Sequence, residues 1–137
     1  MTKLSDIYDV FLSKISDYNL VALGQEEVDE ELLGYFKSAR AKFYKCKKDT
    51  TLTEDETAIV DELNPYEIEV FVKLMLVEYM TPIMLSSEVV KQGLSDKDFK
   101  IYSQANQLRE LNLLYRLLKR EANKMITEYS YIGMTDE

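Results

Sequence analysis

The chain has 137 residues, 46% of them apolar, with only four glycines and two prolines; this suits one helix-rich domain and leaves too little turn punctuation for a β-rich one. Its net charge of −8 argues against a general affinity for nucleic-acid backbone. Histidine is absent, which removes Ser-His-Asp and Cys-His catalysis and the commonest metal ligand, and the single cysteine, Cys46, excludes an internal disulfide.

Leu4, Ile7, Tyr8, Phe11, Leu12 and Ile15 recur at helical spacing and predict a first helix ending near Ser16. Asp6 and Asp9 inside that stretch, with no basic leader before it, predict no signal peptide. Gly24 closes the next turn. A second helix is expected from about Gln25 to Cys46, with Val28, Leu32, Tyr35, Phe36, Ala39 and Phe43 on one face. Acids (Glu26, Glu27, Asp29, Glu30, Glu31) open it and bases (Lys37, Arg40, Lys42, Lys45, Lys47, Lys48) close it, the order a helix dipole favours. Residues 49–64 read as a polar, acidic linker, in which Thr53 and Glu56 could cap one helical turn through Val60.

Asn64, Pro65 and Glu67 form a strong start signal for the third helix. Ile68, Phe71, Val72, Met75 and Tyr79 then mark one apolar face and Val70, Leu74 and Val77 the opposite one, so this helix is expected to be sandwiched. The alternation of Ile68, Val70, Val72, Leu74 and Leu76 also fits a strand; the cap and the Leu, Met, Glu and Lys content favour helix. Lys73, Glu78 and Pro82 interrupt the most apolar run, 68–85, so a buried helix explains it better than a membrane span. Pro82 should kink or restart the helix, giving a further piece that Gly93 ends. Ser95, with Asp96 and Asp98, caps a last helix running to about Tyr129. Its seam is Leu108, Leu111, Tyr115, Leu118, Ala122, Met125 and Tyr129. The expected fold is all-α: an up-and-down bundle of four to five helices in one domain, 1–129, with one long C-terminal helix and a tail, 130–137.

Chemistry is scarce. There is no Gly-rich phosphate loop, and residues 49–62 lack the alternating Asp/Asn positions and central glycine of a calcium loop. The pairs Glu26/Glu30 and Glu27/Glu31 fit a solvated helix start better than acid–base work. Cys46 reads as a small hydrophobe at a helix end rather than a reactive thiol. No enzyme activity, metal or cofactor is expected. Ten tyrosines are more telling. Tyr8, Tyr35 and Tyr79 sit on core stripes, whereas Tyr129 and Tyr131 fall where the bundle finishes and would anchor an interface. Gly133 can leave helical geometry, which makes Tyr129, Tyr131, Ile132 and Met134 the candidate partner-binding arm, set against a frayed terminus. Lys42, Lys45, Lys47 and Lys48 are candidate contacts to a partner or a neighbouring subunit, set against simple helix closure. Leu111, Leu113, Leu114, Tyr115, Leu117 and Leu118 nearly encircle the last helix, which needs a bundle core alone or a core plus a partner subunit.

The block LMLVEYMTPIMLSSEVVKQGLSDKDFKIYSQANQLRELN (74–112), REANKMITEYSY (120–131) and the earlier ELLGYFKSARAKFYKCKKD (31–49) resemble small proteins encoded among the head and neck genes of tailed bacteriophages of Gram-positive hosts. The resemblance implies a head–tail connector, that is, a neck adaptor or head-completion protein. Such proteins are helical bundles that form a ring, usually of twelve copies, beneath the portal. They continue the DNA channel without sequence-specific binding and meet a further neck or tail-completion protein below. The implied location is the virion neck, with the host cytoplasm before assembly and no membrane. Residues 49–64 carry none of the resemblance. The competing reading is a small acidic inhibitor, immunity-type or DNA-mimicking, that binds a basic enzyme through residues 26–31 and 54–62; a regulatory helical domain is a weaker third.

Overall fold

The computed structural model describes residues 1–17, 28–93 and 100–135. Among these residues four helices, α1 (Leu4–Asp17), α2 (Val28–Lys42), α3 (Pro65–Gly93) and α4 (Lys100–Thr135), form a bundle with one two-stranded sheet, β1 (Thr2–Lys3) and β2 (Ala58–Ile59). The fold is therefore the expected all-α bundle, with four helices.

Helix α3 is central because it is apolar all round, and α1, α2 and α4 each pack against it. Val70, Phe71, Val72, Leu74, Met75, Leu76, Val77, Tyr79 and Met80 are all buried, on both expected faces. The strand alternative for 68–76 is set aside. Helix α1 contributes Leu4, Ile7, Phe11 and Ile15, and α2 contributes Leu32, Phe36, Ala39 and Phe43. Ring contacts knit the layers: Phe36 stacks on Phe71 at 5.1 Å, Phe43 meets Phe71 at 5.2 Å, and Phe11, Tyr35 and Tyr79 form a mutual triangle. Such pairs add about 0.5–1.5 kcal/mol each beyond simple burial. Helices α3 and α4 run antiparallel, since Tyr66 reaches Met125, Lys73 pairs with Glu121 and Thr81 bonds Tyr115.

Several expectations are corrected. Pro82 does not restart the helix; α3 continues to Gly93. Proline removes one amide donor, but the turn before it is tied sideways, with the Thr81 hydroxyl bonded to the Val77 carbonyl (2.8 Å) and to the Tyr115 hydroxyl (2.9 Å) of α4. Helix α2 stops at Lys42 rather than Cys46, so Lys45, Lys47 and Lys48 lie on the loop that follows. The Lys47 amide donates to the Tyr129 hydroxyl instead of continuing the helical ladder. The tail also differs: α4 keeps its helical course past Tyr129 and Gly133 to Thr135. The expected turn at Gly24 and the cap at Ser95, Asp96 and Asp98 lie outside the described residues.

The segment 49–64 forms no helical turn. Residue 52 bridges Ile59, and β2 pairs antiparallel with β1, Thr2 opposite Ile59 and Lys3 opposite Ala58. Asp55 organises the tip, its carboxylate accepting from the Thr53 hydroxyl and from both the amide and hydroxyl of Thr57. These donors hold its pKa below the ordinary carboxylate value. The same loop seats Thr2, whose hydroxyl donates to the Asp61 carbonyl and accepts from the Leu63 amide.

Candidate functional site

Three groups of residues stand out: a buried polar cluster at one end of the α3–α4 pair, the lysine loop beside it, and the outer face of α4. The first is built on the cap of α3. The Glu67 amide donates to the Asn64 side chain (2.8 Å), and the Glu67 carboxylate accepts the Asn64 amide (2.9 Å), a reciprocal capping box. Glu67 is completely buried, which a carboxylate tolerates only with partners. It has them: the Tyr129 hydroxyl donates to it at 2.5 Å, Lys48 lies 3.7 Å away, and the Cys46 thiol approaches at 3.9 Å.

Tyr129, expected at the surface of a single chain, is therefore almost wholly buried. Its ring meets Phe43 at 5.2 Å and stacks on Tyr66, and its hydroxyl receives the Lys47 amide while donating to Glu67. Burial first, and then the bond to Glu67, pushes its phenol well above the ordinary tyrosine value. Burial also raises the Cys46 thiol, which keeps it protonated, the wrong direction for a nucleophile. Every buried side-chain nitrogen and oxygen among the described residues has a partner. The cluster thus acts as a polar lock between the start of α3 and the end of α4, with no spare group aimed at a ligand.

The lysines are largely engaged within the chain. Lys42 pairs with Glu78, Lys48 with Glu67 and the Glu62 carbonyl, and Lys47 sits 5.4 Å from the centre of the Tyr129 ring. Lys45 is exposed and Tyr44 beside it is 77% exposed, which leaves these two as the outward part of the loop. Tyr131 is 64% exposed, on the side of α4 away from Tyr129. The side chains of Ile132 and Met134 lie outside the described residues.

The seam of α4 packs as expected where it is described: Leu118, Ala122 and Tyr129 are buried, and Leu111, Tyr115 and Met125 lie against the core. Leu113 (61% exposed) and Leu117 (46%) do not. One chain's bundle leaves that part of the encircling leucines uncovered. Among the described residues no group of three or more acidic or cysteine side chains could hold a metal, and no helix is long and apolar enough to cross a membrane.

A groove that sequence reasoning missed is lined by Leu4, Tyr8, Glu30, Leu33, Asp55 and Glu56 among others. Its acidic residues come from the two separate clusters noted in the sequence, which the packing of α1, α2 and the β1–β2 pair brings to one groove, and two-residue strands leave no periodic signal. No family model matches the chain, and no curated protein or solved structure matches it.

Proposed function

We propose that the chain is a non-enzymatic assembly subunit, a head–tail connector of a tailed phage that forms a ring on the portal and extends the DNA channel. The observation that supports this reading best is the one-sided packing of α4. At 36 residues the helix is about 54 Å long. It rests on α3 along its seam while Leu113, Leu117 and Tyr131 face outward, an arrangement suited to a neighbouring subunit. The sequence resemblance to phage neck proteins supplies the specific assembly, with the virion neck as location and a further neck protein as the partner below. An acidic chain lining a channel would repel passing DNA, and the outward Tyr44–Lys45 loop is available to the portal.

The test is head completion. Purified protein added to portal-bearing heads that lack it should complete them, and truncation after Tyr129 should abolish addition while leaving the isolated protein's melting temperature almost unchanged. Normal completion by the truncated chain would remove the last turns of α4 from the docking role, and failure by the full-length chain would remove the connector reading.

The inhibitor reading is favoured by one observation, the groove that combines Glu30 with Asp55 and Glu56. It requires a monomer that binds a basic enzyme with steep salt dependence.

A further inference from the structure

Charge is distributed unevenly in this molecule. Helix α4 carries six lysines and arginines against three glutamates, a net +3, which leaves −11 for the rest of a chain whose total is −8. At 100° per residue, Leu113, Leu117, Arg120, Lys124 and Tyr131 fall within a narrow stripe on the outer side, opposite the seam, with Arg116 at its margin. All are exposed. Arg116, Arg120 and Lys124 have no carboxylate within ion-pair distance among the described residues, whereas five other lysines do. The outer face of α4 is therefore a row of exposed apolar side chains set among free cations, with Arg109 and Arg116 along one margin and the exposed Glu110 and Glu128 along the other.

The groove is its complement. Leu4, Tyr8 and Leu33 give it an apolar lining, and Glu30, Asp55 and Glu56 set carboxylates around it, with Lys3 and the N-terminal Met1 also present. Glu56 already holds Lys37 at 3.5 Å through an exposed pair, which is weak and exchangeable. The groove is made by α1, α2 and the β2 loop, and α4 packs on α3, so the two surfaces belong to different elements.

We propose that the outer face of α4 seats in this groove of a second copy, with Leu113 and Leu117 against the apolar lining and Arg116 and Arg120 against Glu30 and Glu56. This deepens the ring-subunit reading and rests on it. Because the two surfaces differ, the contact is head-to-tail, and such contacts propagate until they close into a ring or run on as a filament. The opposite signs of the two patches steer copies into that register and repel the groove-to-groove alternative.

The test uses the full chain in sedimentation across a concentration series, with helicity checked by circular dichroism. The expected result is self-association that weakens with salt. It should weaken about tenfold or more in Arg116→Glu/Arg120→Glu and likewise in Glu30→Lys/Glu56→Lys, and return when the two variants are mixed. That reciprocal rescue is something a folding defect does not produce. If the arginine variant loses helicity, Lys124→Glu is mixed with the glutamate variant in its place. A parent chain that stays monomeric, reversed faces that associate like the parent, or mixing without rescue would each overturn the proposal. So would retention on heparin that the arginine reversal abolishes in a chain that never self-associates, since the face would then serve a polyanion. Head completion by a monomeric parent would sink this contact and keep the connector reading; self-association without completion would do the reverse.

Discussion

Leu117 and Leu118 are neighbours in sequence, yet Leu118 is completely buried in the core and Leu117 is nearly half exposed. A single residue likewise separates Tyr129, locked between Phe43, Tyr66 and Glu67, from Tyr131, which faces outward. Both faces of α4 carry leucine and tyrosine, so those residue types do not tell them apart; the cations of the outer face and position relative to α3 do. The contrast teaches that the inner face stabilises the chain, while the outer face is free to serve a second molecule.

The sharpest test of that division is Leu118→Ala. Removing a fully buried leucine should cost about 2–5 kcal/mol, read as a fall in the denaturation midpoint. A value near zero would mean that α4 does not rest on α3 as described. Tyr129→Phe should cost about 1–3 kcal/mol, because the Glu67 carboxylate loses a donor and the Lys47 amide loses its acceptor. The same residue predicts an alkaline limit. Its folded pKa lies above the ordinary 10.0, as do those of Tyr35, Tyr66 and Tyr79. The unfolded chain then releases these protons first, so the contribution is intact below pH about 10 and is lost as pH climbs through the folded values. Denaturation curves taken at rising pH should fall away there, and Tyr129→Phe should flatten the fall.

Smaller effects complete the series. Glu56 sits at φ 57°, in the left-handed region that costs a side-chain-bearing residue about 1–2 kcal/mol. Part of that gain is offset by the extra freedom of glycine when unfolded, so Glu56→Gly should raise stability by up to about 1 kcal/mol. Leu113→Ala should change the isolated chain by less than about 0.5 kcal/mol. A large loss there would place Leu113 in the core and erase the distinction between the two faces.

Much of this architecture was legible in the sequence because helices announce themselves through period and caps. Spacing alone gives the Asn64–Glu67 box and the α4 seam; the box and the seam from Leu111 to Tyr129 lie where the spacing puts them, and the side chain of Leu108 lies outside the described residues. The continuity of α3 through Pro82 was not legible, since the sequence does not show the bond that ties Thr81 to Tyr115 of α4, a residue distant in sequence. Tyr129 was read as an end-of-bundle anchor because nothing local says that Glu67 and Lys47 wait for its hydroxyl. The β1–β2 pairing, and with it the groove, arises from contacts between residues more than fifty positions apart. Local pattern carries no trace of such partners.

The segment between α2 and α3 looked like a spacer, but it fastens both β1 and the last turns of α4. Thr2 is held by Asp61 and Leu63, and Tyr129 by Lys47 and Glu67, all within about twenty residues of one another. If this segment opens as one unit, the amides of Leu4, Lys47, Leu63 and Asn64, each hydrogen-bonded within it or across it, should exchange at similar rates. An opening of this segment would release Thr2 and the Lys47 contact to Tyr129 together, while the Glu67 bond and the packing of Leu118 and Ala122 still hold α4 on α3.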